Sequence, residues 1–214
     1  MPLFGLKLIE TKVHGIKFLA SGIFEDEERF LAAVYASADR NSNIADVGDD
    51  ILKRSISNIN LEDPVLVDKM YAIYLGSRTP EGPWAVRAPL KVKLLTYLSR
   101  SVASTTFPAK IRVVVEEGLA SASVGEAGST SSGRLETSKL RSAVLTFAKW
   151  VVQQGSTRDI KELAEGFVAR FRSFILDQGW PTPIEGEDLA LRRYAYEVIG
   201  LASKASKVAD IDTL

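Results

Sequence analysis

The stretch LRRYAYEVIG occupies residues 191–200 and places two arginines and two tyrosines within ten positions. Arg192, Arg193, Tyr194 and Tyr196 on their own resemble a phosphate or nucleic-acid contact. The apolar spacing gives a different first answer. Leu191, Tyr194, Ala195, Val198, Ile199 and Ala202 recur three, four, seven, eight and eleven positions after the first, which traces one face of an α-helix. Ala195 and Gly200 are small, as a close approach by a neighbouring helix would require.

The same period recurs along the chain. Helices are predicted over 4–20, weakened by Gly15, and over 25–38, with Leu31, Val34, Tyr35 and Ala38 on one face. The acidic run Glu25, Asp26, Glu27 and Glu28 opens the second, where negative side chains suit the helix dipole. A shorter helix is predicted over 47–56. Asp63 as N-cap and Pro64 as first helical residue start the next, with Leu66, Met70, Ile73 and Tyr74 inward and Gly76 at its end.

Residues 77–89 carry Pro80, Gly82, Pro83 and Pro89 and read as a loop. Helices follow over 90–102 and from Phe107-Pro108, the latter burying Ile111, Val114, Val115 and Leu119. Residues 121–133 are rich in Ser and Gly and nearly free of apolar groups, so a mobile loop is expected there. Two more helices are predicted over 137–153 and from a Ser156/Asp159 capping box to Asp177. Leu140, Val144, Phe147, Ala148 and Val151 line the first, and Ile160, Leu163, Ala164, Phe167, Phe171, Phe174 and Ile175 the second. No strand pattern is found.

Paired in order, these helices form hairpins over about 4–38, 44–76, 88–121 and 135–178, with a half-unit over 186–205. Counted from Phe4, Val47, Leu90, Thr137 and Asp188, where the apolar spacing begins, the units start 43 to 51 residues apart, near the ~40–47-residue HEAT/armadillo period. A hairpin cannot cover its own apolar faces, so stacking into one α-solenoid across 1–214 is the expected all-α fold, with about four and a half hairpins. The half-unit at the end is what an internal piece of a longer chain would show.

Bulk composition excludes several functions. The 27 basic and 27 acidic residues balance, which argues against a globally basic nucleic-acid binder. There is no cysteine and His14 is the single histidine, so disulfides are impossible and no protein-only zinc site is expected. No apolar run reaches the ~18 residues of a membrane span, and the N-terminus lacks signal-peptide organisation. The absence of cysteine fits a cytosolic or nuclear chain better than a small secreted one.

Candidate chemistry is thin. The segment 125–134 has glycines and serines but lacks the Gly-Lys-Ser/Thr ending of a phosphate loop. Glu25 to Glu28 read as a solvated helix start, and Arg170, Arg172 and Lys161 share their helix with Asp159, Glu162 and Glu165, giving a mixed surface. Trp84, in the Pro/Gly loop, is the single best candidate for an exposed anchor. No catalytic, cofactor or metal residue is assigned, and no cofactor is expected.

LRRYAYEVIG resembles the HEAT-repeat pattern through Leu191, Arg192, Ala195, Val198, Ile199 and Gly200. SKLRSAVLTF (138–147) is a looser version, with Leu140 and Arg141 in place and Val144 at the alanine position. The resemblance implies that Arg192 bonds an acidic group or carbonyl of a neighbouring repeat. More specifically, DKMYAIYLG (68–76), LKVKLLTYLSRS (90–101), FPAKIRVVVEEGL (107–119) and SKLRSAVLTF, in that order and spacing, resemble the giant HEAT-repeat adaptor and scaffold family of the proteasome, extracellular-mutant protein twenty-nine. The likeness runs over about 15–205 and is most specific over 68–147; the 121–133 loop is longer than that pattern, and Trp84 sits in a variable insert. It implies a non-enzymatic, cytoplasmic and nuclear segment of a much longer chain. Its expected partners are the proteasome core and regulatory particles and other proteins met on the solenoid surface, with no nucleic acid. No residue-level contact carries over. The alternative is a HEAT-type module of a transport or cytoskeletal adaptor; an all-α enzyme is a further rival.

Overall fold

The structure is a computed structural model and describes residues 9–21, 23–76, 88–101, 108–120, 131–154, 158–177 and 186–206. Among the described residues all regular structure is helical: α1 (Ile9–Leu19), α2 (Asp26–Ser37), α3 (Ser42–Ser55), α4 (Pro64–Tyr74), α5 (Ala88–Arg100), α6 (Pro108–Ala120), α7 (Ser131–Gln154), α8 (Arg158–Asp177) and α9 (Gly186–Ser206), with one 3-10 turn at Ile56–Asn58. The chain divides within α5 into two compact units, Met1–Leu94 and Leu95–Leu214.

Local chemistry explains the helix limits. Asp63 caps α4 as expected, its Oδ1 accepting from the Val65 amide at 2.8 Å, and Pro64 follows. Gly76 takes a positive φ of 75° just past the helix, a conformation other L-residues adopt only with strain. α3 and α7 start a turn or more earlier than apolar spacing predicts. α3 begins at Ser42 because Asn41 caps it, accepting from the Asn43 amide at 3.1 Å. α7 begins at Ser131, so the last three residues of the predicted 121–133 loop are helical; the rest of that loop, Trp84 and Ser156 lie outside the described residues.

In the first unit, α1 packs on both α2 and α3, and α2 on α3. Ile16, Ala36 and Ile44 form a buried cluster from these three helices, with Val13, Val47 and Ile51 against it. α2 supplies an almost continuous buried run from Phe30 to Val34. The α2–α3 approach is close enough to demand glycine. A Cβ at Gly48 would overlap the Ser37 amide nitrogen and lie 2.8 Å from the Ala36 carbonyl carbon and 2.9 Å from the Ala33 oxygen.

In the second unit, α6 packs on α7 and α8, and α7 and α8 pack on α9. Val144, Phe147, Ala148, Val151, Phe171, Ala195, Val198 and Ala202 are fully enclosed. Val114 and Val115 are buried while Val113 is 45% exposed, which is the helical pattern rather than the alternation of a strand. In both units helices pack on the next and the next-but-one along the chain, the neighbour pattern of stacked hairpins.

Candidate interaction surface

Among the described residues, three lysine–carboxylate pairs join helices two places apart. On α4, Lys69 Nζ donates to Glu27 Oε2 of α2 at 2.6 Å, and on α5, Lys93 Nζ donates to Asp49 Oδ1 of α3 at 2.9 Å. On α7, Lys149 Nζ donates to Glu197 Oε1 of α9 at 3.0 Å. The partners are 42, 44 and 48 residues apart in sequence, so each pair spans one repeat. All three are partly solvated, so each contributes at most ~1 kcal/mol. The same one-repeat spacing recurs within each of the two units.

Lys149 is the most elaborated of these. Its ammonium also lies 5.3 Å from the centroid of the Tyr194 ring, a cation–π distance. The hydrogen bond to Glu197 raises its pKa above the ordinary lysine value, against the opposing effect of desolvation. Tyr194, which the apolar spacing places inward, is accordingly only half-buried and serves as a platform for this charge.

Among the described residues, Arg192 makes no bond to an acidic group or carbonyl of a neighbouring repeat. Its Nε is buried and has no hydrogen-bond partner among the described residues, and its guanidinium carbon sits 6.0 Å from the Tyr196 ring of its own helix. Arg141, at the matching position of α7, is buried, at 4% exposure. Gly200 does not mark a close approach either: a Cβ there would meet nothing within 4 Å.

The remaining sequence candidates resolve as surface. His14 is exposed on α1, as are Glu25 and Glu28 at the start of α2, while Glu27 is taken up by Lys69. Asp26 pairs with Arg29. Arg170 and Arg172 are half-buried. Among the described residues no group of three or more His, Asp or Glu is placed to hold a metal ion, and no helix is long and apolar enough to cross a membrane. Trp150, passed over by the sequence reading, is 40% exposed on α7. Its signal was present, since it falls off the Leu140–Val144–Phe147–Ala148–Val151 stripe.

Helices packed on their next and next-but-one neighbours, tied by ion pairs one repeat apart, define a HEAT-type helical repeat protein. A family profile described as proteasome component ECM29, N-terminal, matches residues 3–213, and the chain belongs to that family. It is 32% identical over 147 residues to the human proteasome adapter and scaffold protein ECM29, an alignment that takes in 63% of this chain and 8% of the relative. No solved structure matches.

Proposed function

We propose that the chain is a non-enzymatic segment of a proteasome adaptor and scaffold, working in the cytoplasm and nucleus by protein–protein contact. It helps stabilise or tether the core and regulatory particles. The observation that carries this reading is the family match over residues 3–213, joined to a helical stack that offers extended surfaces. A relative named as an adapter and scaffold of the proteasome supports the same partner. Within each unit, the pairs Glu27–Lys69, Asp49–Lys93 and Lys149–Glu197 join helices one repeat apart, and Trp150 is exposed beside the last of them in sequence.

One segment supplies only part of such a footprint. Linking several weak sites in one chain multiplies avidity by ~10²–10⁴, so this segment alone is expected to bind proteasomes weakly. The test is co-purification of proteasomes with the full-length protein lacking residues 63–205, after circular dichroism confirms that the remainder is folded. Reduced association or reduced particle stability is the expected result. Unchanged association, particle stability and peptidase activity would remove this segment from the scaffold's working surface.

A further inference from the structure

Three hydroxyls in the chain stand three residues after an arginine: Ser57 after Arg54, Thr137 after Arg134 and Ser173 after Arg170. A cation at that offset is what a kinase with an acidic substrate cleft reads, because it pairs with the cleft's carboxylates while the hydroxyl reaches the nucleotide. Such a cleft takes its substrate as extended backbone, so the fold decides among the three. Thr137 lies inside α7, and Ser173 lies half-buried inside α8. Ser57 alone of the three stands outside an α-helix, in the 3-10 turn Ile56–Asn58 between α3 and α4. That turn is weakly held. The Ile59 amide donates to the Ile56 carbonyl at 3.4 Å, and Ser57 Oγ donates to Asn58 Oδ1, also at 3.4 Å. Ser57 and Asn58 are exposed. So are Lys53 and Arg54 in the last turn of α3, and the Lys53 side chain, 76% exposed, comes no closer than 3.7 Å to Asp50.

We propose that Ser57 is a phosphorylation site for a serine/threonine kinase that reads basic residues, with Arg54 and Lys53 as its recognition cations. The Ser57 hydroxyl oxygen attacks the terminal phosphorus of a nucleoside triphosphate held by the kinase. A bond forms between Oγ and phosphorus, the bond from that phosphorus to the bridging oxygen breaks, the hydroxyl proton leaves, and the nucleoside diphosphate departs. The phosphate brings a charge of about −1.5 to −2. Lys53 and Arg54, four and three residues before it, supply the opposite charge. This corner of the surface therefore passes from two positive charges to about none. Ser57 is exposed and outside the buried Ile16–Ala36–Ile44 cluster, so the modification changes surface charge and leaves that core in place. The inference rests on this turn and its charges and is independent of the proteasome reading, so either can fail alone.

The experiment treats the purified full-length protein with ATP and the catalytic subunit of a kinase selective for arginine three residues before serine, and follows phosphate at each site by mass spectrometry. Faster labelling at Ser57 than at Thr137 or Ser173 is expected. Arg54→Ala is expected to slow it about tenfold or more, the worth of one charge-assisted contact in the transition state. Arg40→Ala, at an exposed arginine outside the motif, leaves it unchanged. An unlabelled Ser57, equal or faster labelling at Thr137 or Ser173, or indifference to Arg54→Ala overturns the proposal. As a second measurement, the protein recovered from cells with phosphatases inhibited is expected to carry phosphate at Ser57. Its absence there would also overturn the proposal.

Discussion

Lys149 Nζ on α7 lies 3.0 Å from Glu197 Oε1 on α9, one repeat away, with the Tyr194 ring beneath the ammonium. The pair is part-solvated, with lysine and glutamate side-chain exposures of 24% and 53%, so its strength is limited by screening. A double-mutant cycle with Lys149→Met and Glu197→Gln, read by chemical denaturation, is expected to give a coupling of ~0.2–1 kcal/mol that shrinks at high salt. Zero coupling at low salt would show that the two charges do not stabilise each other.

Gly48 and Gly166 are both helical glycines, yet they should respond in opposite directions to alanine. The Gly48 Cβ would strike the backbone of α2 next to Ala36, which is buried in the Ile16–Ala36–Ile44 cluster, so Gly48→Ala is expected to destabilise by at least ~1–3 kcal/mol. Gly166 has open space, and there alanine gains ~0.8–1 kcal/mol of helix propensity. Thermal denaturation of the two variants decides this; a loss at both positions would mean that α8 is covered at Gly166.

Phe147 and Phe171 are both fully buried. Truncating either to alanine removes transfer free energy and leaves a cavity, for an expected cost of ~3–5 kcal/mol in urea denaturation. Trp150→Ala, on the exposed face of α7, is expected to stay within ~0.5 kcal/mol of the parent. If Trp150→Ala proves as costly as Phe147→Ala, the outward placement of the tryptophan is wrong.

Alkaline pH should loosen both units. Burial pushes the Tyr71 phenol well above its ordinary range and raises Tyr35 in the same direction, while Glu197 raises Lys149. A raised folded-state pKa means that the unfolded chain releases its proton first. The associated stability is therefore complete below pH ~10 and is lost as pH climbs through the folded values. Melting temperatures should be nearly level from pH 7 to 9 and fall above pH 10. Tyr71→Phe is expected to flatten that fall more than Lys149→Met, because the phenol is the more deeply buried group; the reverse order would contradict the assigned cause.

Apolar spacing was sufficient to read helices throughout, because an isolated stripe such as Leu191–Ala195–Val198–Ala202 reflects only the 3.6-residue period of its own backbone. It likewise identified Asp63-Pro64 as a helix start, since capping is settled within four residues. Its failures lie where polar local chemistry replaced the stripe: Asn41 capping α3, and the Ser-rich first turn of α7 that looked like loop. The repeat family, too, was legible in short stretches such as DKMYAIYLG and SKLRSAVLTF.

Everything involving two helices at once required the fold. Nothing local distinguishes Gly48, on which α2 closes, from Gly166, which faces open space. Arg141 and Arg192 share a pattern, yet Arg141 is buried while Arg192 is only partly covered, because what covers a helix edge belongs to another part of the chain. Nor does spacing pair Lys149 with Glu197 among 27 basic and 27 acidic residues. Backbone periodicity is a short-range property and survives in the one-dimensional string. Close approach, desolvation and charge pairing depend on distances between separate helices, 11 residues apart along the chain at Gly48–Ser37 and 42 to 48 at the ion pairs, and only packing sets those distances.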